Sequence, residues 1–226
     1  LGGTVDFGNP RVSGALPILN TIQGGTQAGV GVRTDTTVGA AATCVLALPL
    51  LGSSVDFSNK IDSKSTTKTI TNNGNAAASG AESNFYDGSF YFDGTGDYII
   101  TTADTDEMVI NTQDFTLEAW IWNDQTGAYQ GILSDRPDGG GGTSINITNG
   151  NKIEYYAGGT IYNTTFNVPQ KSWHHVALTR QSGTMYSFWD GQLLDSSTAT
   201  NDNGDNAGIW NIGRYYYNRD GYYYKG

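Results

Sequence analysis

The strongest constraint on this chain is a strict two-residue alternation that recurs between short turns. In FTLEAWIW, residues 115–122, Phe115, Leu117, Ala119 and Ile121 fall on one face and Thr116, Glu118, Trp120 and Trp122 on the other. Successive strand side chains point to opposite faces, so this is a half-buried strand and not a helix. The pattern returns in TSINITNGNKIEYYAGGTIYNTTF, where Asn149-Gly150 stands between two alternating runs and predicts a hairpin. It returns again in SWHHVALTRQSGTMYSFWDGQLL, with turns at Gln181-Ser182-Gly183 and Asp190-Gly191, and in GIWNIGR. Strands at this spacing, joined by these turns, predict an all-β fold, an antiparallel sandwich. Apolar residues at helical spacing appear only near residues 41–51. Thirty-one glycines in 226 residues agree with a loop-rich β protein, and the length suits one large β domain.

The remaining composition excludes several classes. A net charge of −10 with scattered basic residues argues against a nucleic-acid partner, which needs clustered Lys and Arg. The acidity fits solubility or a divalent cation. Cys44 stands alone, so no intrachain disulfide forms. No segment is long and apolar enough to span a bilayer, and residues 1–20 show neither the basic start nor the apolar stretch of a signal peptide. Residues 1–43 lack Trp and Tyr and read as an extended N-terminal arm or linker, pairing with another chain or poorly ordered. The β domain is expected over residues 44–226, with the polar stretch 55–88 as an excursion over one end of it.

Within FDGTGDYI, residues 92–99, Asp93 and Asp97 flank Gly94 and Gly96. Asp-Gly makes tight turns, and carboxylates with turn carbonyls are also what Ca²⁺ takes. Asp93 and Asp97 are therefore the candidate cation ligands, with Asp104, Asp106, Glu107 or Asp220 as partners. Sugar binding would use aromatic faces and hydroxyl-bonding polar groups. The candidates are Tyr129, Arg136, Tyr155, Tyr156, Tyr162 and Tyr215, while Trp120, Trp122, Trp173 and Trp189 are expected in the core. SDRPDGGGGT, residues 134–143, reads as a flexible hairpin loop. Glycoside hydrolysis needs two carboxylates flanking the bond. The chain has four glutamates, Glu82, Glu107, Glu118 and Glu154, and none stands in a close group. His174 and His175 lack a nearby nucleophile motif and, as strand neighbours, face opposite ways. One cysteine and two adjacent histidines do not make a zinc site. No enzyme activity is expected.

The ordered set FDGTGDYI, FTLEAWIW, NGNKIEYY, SWHHVALTRQSGTMYSFWDGQLL and IWNIGR resembles the laminin-G-like branch of the concanavalin A-like lectin/glucanase superfamily, over residues 44–226. The resemblance implies a jelly-roll of two curved antiparallel sheets. It implies cation sites built from an early Asp and loop carbonyls, and no glucanase motif of the Glu-x-Asp-x-x-Glu kind is found. The run from Cys44 to Tyr98 resembles the opening of such domains in structural proteins of marine bacteriophages, often fibres or appendages. That implies a virion surface protein, joined to other virion proteins through its N-terminal arm, adhering to host-surface glycans or projecting structurally. By the same analogy it implies a homo-oligomer, a trimer. The alternative is the carbohydrate-binding module of a secreted, extracellular bacterial protein. Family members carry a last strand after the GR segment; either residues 222–225 are that strand in altered form or, as the favoured expectation, the sequence is a fragment of a longer polypeptide.

Overall fold

The structure is a computed structural model, and it describes residues 30–35, 43–85, 87–101, 106–136, 141–199, 208–217 and 220–226. The strands in chain order are β1 Val30–Asp35, β2 Thr43–Leu48, β3 Ile70–Asn73, β4 Ala77–Ser79, β5 Ser89–Tyr91 and β6 Tyr98–Thr101. They continue with β7 Asp114–Trp122, β8 Gln130–Ser134, β9 Thr143–Ile147, β10 Lys152–Ala157, β11 Thr160–Asn167 and β12 Trp173–Gln181. The last are β13 Thr184–Trp189, β14 Gln192–Thr198, β15 Asn211–Ile212, β16 Arg214–Tyr217 and β17 Asp220–Tyr223. A six-stranded antiparallel sheet runs β14-β13-β12-β7-β1-β2, and a seven-stranded one runs β11-β10-β9-β8-β15-β6-β3. Short hairpins β4–β5 and β16–β17 complete the set.

The alternation sets which face is dry. Phe115, Leu117, Ala119 and Ile121 of β7 are buried, and in register Ala119 meets Val176 and Leu117 meets Leu178 of β12. From the other sheet come Leu133, Ile145, Ile147, Ile153 and Ile212, in one continuous apolar cluster with the first set. Burying each such side chain contributes about 1.5–3 kcal/mol. Two polar tips in this core have partners. The Tyr155 hydroxyl donates to the Phe188 carbonyl across the sandwich at 2.9 Å, and Trp210 Nε1 donates to the Met108 carbonyl at 3.1 Å. Asn149-Gly150 lies in the loop between β9 and β10, as expected. Ser182-Gly183 and Asp190-Gly191 close the next two hairpins with positive φ at both central residues (49° and 77°, 47° and 76°), the geometry that matches strand twist.

Three expectations about layout change. Val30–Asp35 is no arm: it pairs with β2 and β7 inside the six-stranded sheet, so the β domain begins before residue 44. Residues 1–29 and 36–42 of the expected arm lie outside the described residues. The polar excursion also does more than cross one end, because β3 forms the edge of the seven-stranded sheet by pairing with β6. Its base is held by Asp56, buried, whose carboxylate accepts from the amides of Ala47, Ser58 and Lys68 and from Ser58 Oγ. Finally, only Trp189 of the four named tryptophans is buried. Trp120, Trp122 and Trp173 are half-buried on the outer face, because even-numbered positions of β7 point away from the core.

Candidate functional site

The outer face of the seven-stranded sheet gathers most of the polar and aromatic groups with chemistry. Tyr156 and Glu154 alternate with inward Tyr155 and Ile153 along β10, so both stand on this face. Asn146 of β9 lies opposite Glu154 in register. The Glu154 carboxylate is buried and accepts hydrogen bonds from the Tyr129 hydroxyl and, at 3.3 Å, from Asn146 Nδ2. Burial pushes its pKa up from 4.5 to about 7.

Beside it the Arg136 guanidinium sits 3.8 Å above the Tyr156 ring and 5.4 Å from that of Tyr215, and Nη1 donates to the Tyr215 hydroxyl. Such stacking holds a planar cation in place. Arg136 is aimed by the root of its loop: its amide donates to Ser134 Oγ at 3.1 Å, and the Asp135 carboxylate accepts from the Thr143 amide.

Hairpin β16–β17 lies across β8 and brings the third group. A bulge in β8 between Gly131 and Leu133 seats it, and a Cβ on Gly131 would overlap the Tyr215 amide. Tyr215 and Tyr222 stack with centroids 5.9 Å apart, and Tyr129 meets Tyr215 at 5.5 Å and Tyr222 at 5.2 Å. Tyr129, Arg136 and Tyr222 are half-buried, with part of their surface in solvent. Arg214 stacks 3.6 Å over Tyr98 and bonds Asn211 Oδ1 at 2.6 Å, extending the patch.

Of the six sugar-binding candidates, four converge here: Tyr129, Arg136, Tyr156 and Tyr215. Tyr156 and Tyr215 are each only 5% exposed and serve to clamp Arg136. The other two are corrected. Tyr155 is fully buried in the core, and Tyr162, opposite it in register, packs against that core from β11. Glu154, Asn146 and Tyr222 are the additions that sequence reasoning missed.

Asp93 and Asp97 do come together, in a turn. The Asp97 oxygens accept from the amides of Asn75 at 2.7 Å and Asp93 at 2.9 Å, and Asp93 Oδ1 accepts from Thr95 at 2.6 Å. The Asn75 side-chain amide fits when it donates to both carboxylates. Asp97 is fully buried and its oxygens are directed at donors, as in a turn clamp. Among the described residues no three acids, His or Cys gather into a metal-holding group. Glu107 is engaged elsewhere: burial opposes its ionisation, but the Lys68 ammonium 2.5 Å away outweighs that and holds its pKa low. Asp104 and the side chains of Asp106 and Asp220 lie outside what is described.

The two histidines do face opposite ways. His175 stacks on outward Trp120 and lies 3.6 Å from Glu118. His174 packs on Trp189, with Ser172 Oγ 2.8 Å from Nε2 and Asp190 Oδ2 2.8 Å from Nδ1. Asp190 Oδ1 also accepts the His175 amide at 2.8 Å, so the set ties the β13–β14 turn to β12.

The two antiparallel sheets packed over one core form a jelly-roll sandwich. A family profile, described as the concanavalin A-like lectin/glucanases superfamily, matches residues 93–226, and the chain belongs to that family. Among solved structures it is similar to domain 4 of AbnA, an extracellular GH43 arabinanase from Geobacillus stearothermophilus, solved with arabinotriose. Identity is 17% and the TM-score 0.51, over 71% of this chain and 78% of that one. It is also similar to a Bacteroides ovatus protein assigned to carbohydrate binding (20% identity, TM-score 0.48, 68% of this chain) and spans 50% of that protein's length. Domains LG4-5 of the mouse laminin α1 chain match at 12% identity and a TM-score of 0.45, over 60% of this chain and 38% of that one. No curated protein sequence matches the chain. Similarity at these levels concerns the fold.

Proposed function

We propose that this chain is a non-catalytic carbohydrate-binding domain whose site is the outer face of the seven-stranded sheet. The observation that carries this is the convergence of the part-exposed Tyr129 and Tyr222 rings with the clamped, part-exposed Arg136 in one patch, with the buried Glu154–Asn146 pair beneath holding the Tyr129 hydroxyl. A sugar needs an apolar platform for its ring face and fixed donors and acceptors for its hydroxyls, and this patch offers both. The arabinotriose held by the similar AbnA domain makes arabino-oligosaccharides the first ligands to test. A non-catalytic role is favoured because the recorded partners of Glu154 are a phenol and an amide, and hydrolysis needs a second carboxylate across the bond.

The test is a glycan array followed by titration calorimetry on the best ligand. Tyr222→Ala should weaken binding about tenfold, the loss of roughly 1.4 kcal/mol of stacking. Unchanged affinity in that variant, or no binding across the array, would overturn the proposal. The setting we propose is a virion surface, in a homo-oligomer. It rests on the resemblance of the run from Cys44 to Tyr98, and a cryo-EM map of the source particle in which the domain is missing would remove it.

A further inference from the structure

Beneath the Tyr129 ring lies a small buried cluster that is rich in acceptors. Asn146 Nδ2 donates to Ser144 Oγ at 2.8 Å and to Glu154 Oε1 at 3.3 Å, and the Tyr129 hydroxyl donates to the same Oε1. Asn146 Oδ1 is buried with no donor among the described residues. Buried polar atoms without partners are rare. A protonated carboxyl is a donor as well as an acceptor, whereas a carboxylate only accepts. Ionising Glu154 therefore removes a donor from a cluster that already lacks one.

The cations on this face are engaged with other groups. Lys152, two residues back along β10, donates to the Thr165 carbonyl at 2.9 Å, and Arg136 is clamped by Tyr156 and Tyr215. The residues in register with Glu154 are Asn146 on β9 and Asn163 on β11, neither of them titratable, and Gly131 of β8 lies beyond Asn146. The other titratable groups around it are phenols: Tyr129, Tyr156 two residues on, and Tyr215 and Tyr222 against the Tyr129 ring. An ionised Glu154 would thus face only a phenol and one amide, and a buried charge so poorly bonded is costly. Water relieves that cost, and it competes for the bond that holds Tyr129. Glu154 keeps 7% of its surface in solvent, which gives water and protons a route. Tyr129 carries the change outward, because its half-buried ring packs 5.5 Å from Tyr215 and 5.2 Å from Tyr222 in the platform.

We propose that Glu154 is a positioning residue whose proton sets the shape of the glycan patch: protonated, it holds the Tyr129 ring in the platform, and ionised, it takes up water and releases that ring. The use of this device rests on the glycan reading, but its test begins without a glycan. The whole chain, with labelled tyrosine rings and glutamate carboxyls, is followed by NMR from about pH 5, just above the ordinary carboxyl range, to about pH 8.5. The Tyr129 and Glu154 signals should move together on one curve with a midpoint near 7. Glu154→Gln, neutral throughout, should keep the Tyr129 ring at its low-pH position. Arabinotriose should bind the unaltered chain about tenfold or more tighter at the low end of the range, because affinity scales with the fraction in the competent state. In Glu154→Gln it should bind equally at both ends. Tyr129 signals constant across the range, or a Tyr129 titration that persists in Glu154→Gln, would overturn the proposal. So would equal arabinotriose affinity at both ends in the unaltered chain. No arabinotriose binding at either end, beside an intact joint titration, would overturn the glycan reading alone and support the positioning role.

Discussion

Glu154 shows most plainly how burial converts a residue into a sensor. Its carboxyl keeps its proton to about pH 7 in the folded chain but loses it near 4.5 when exposed. A raised acid stabilises the fold fully below the lower value, and that contribution is lost as pH rises through the higher one. Stability should therefore fall between pH 4.5 and 7 by something on the order of 2 kcal/mol. Glu154→Gln, which keeps a neutral group there, should flatten that slope in urea titrations repeated across the range. Asp97 makes the opposite use of burial, staying bonded to two turn amides. Asp97→Ala should cost about 3 kcal/mol, with the same drop in melting temperature in calcium and in chelator. A drop confined to calcium buffer would make the pair a cation site.

Residue-scale chemistry was only partly legible in the sequence. Tyr129, Arg136, Tyr156 and Tyr215 could be named from residue type, but not their convergence on one face. Tyr155 turns inward because YY on a strand puts one ring in and one out, and Tyr162, opposite it in register on β11, shares its face. The alternation could have decided it, since apolar Ile153 fixes the dry face and turns Tyr155 inward with it. The same logic exposes Glu154, and the Asn149-Gly150 hairpin then places Asn146 opposite it. Tyr222 carried no comparable signal, because its position depends on how β16–β17 folds over β8.

At the scale of elements, hairpin β16–β17 carries Tyr215 and Tyr222 of the patch. It is seated on a glycine at a bulge, where backbone meets backbone. Gly131→Ala would push a methyl group into the Tyr215 amide. Lifting the hairpin should lower stability by about 1–3 kcal/mol and weaken glycan binding together with it. Binding retained alongside the stability loss would detach β16–β17 from recognition. Strands with strong alternation, β7, β10, β12 and β13, were readable directly. β1 and β3 were not, because their sequences are polar or glycine-rich and they owe their strand form to long-range partners.

Across the whole molecule, the two sheets share one core and leave two outer faces of different character. One carries Tyr129, Arg136, Glu154 and Tyr222, and the other Trp120, Trp122, Trp173 and His175. The sandwich itself was legible because its turns and period-two runs agree at every step. Which outer face to propose for binding was not, since both faces hold aromatics and nothing in the sequence turns Trp120, Trp122 and Trp173 outward. NMR titration of the labelled chain with its best array glycan, reading side-chain signals of arginine, tyrosine and tryptophan, decides between them. The account predicts saturable shifts at Arg136, Tyr129 and Tyr222 with Trp120 and Trp173 unmoved. Shifts confined to the tryptophan face would contradict it.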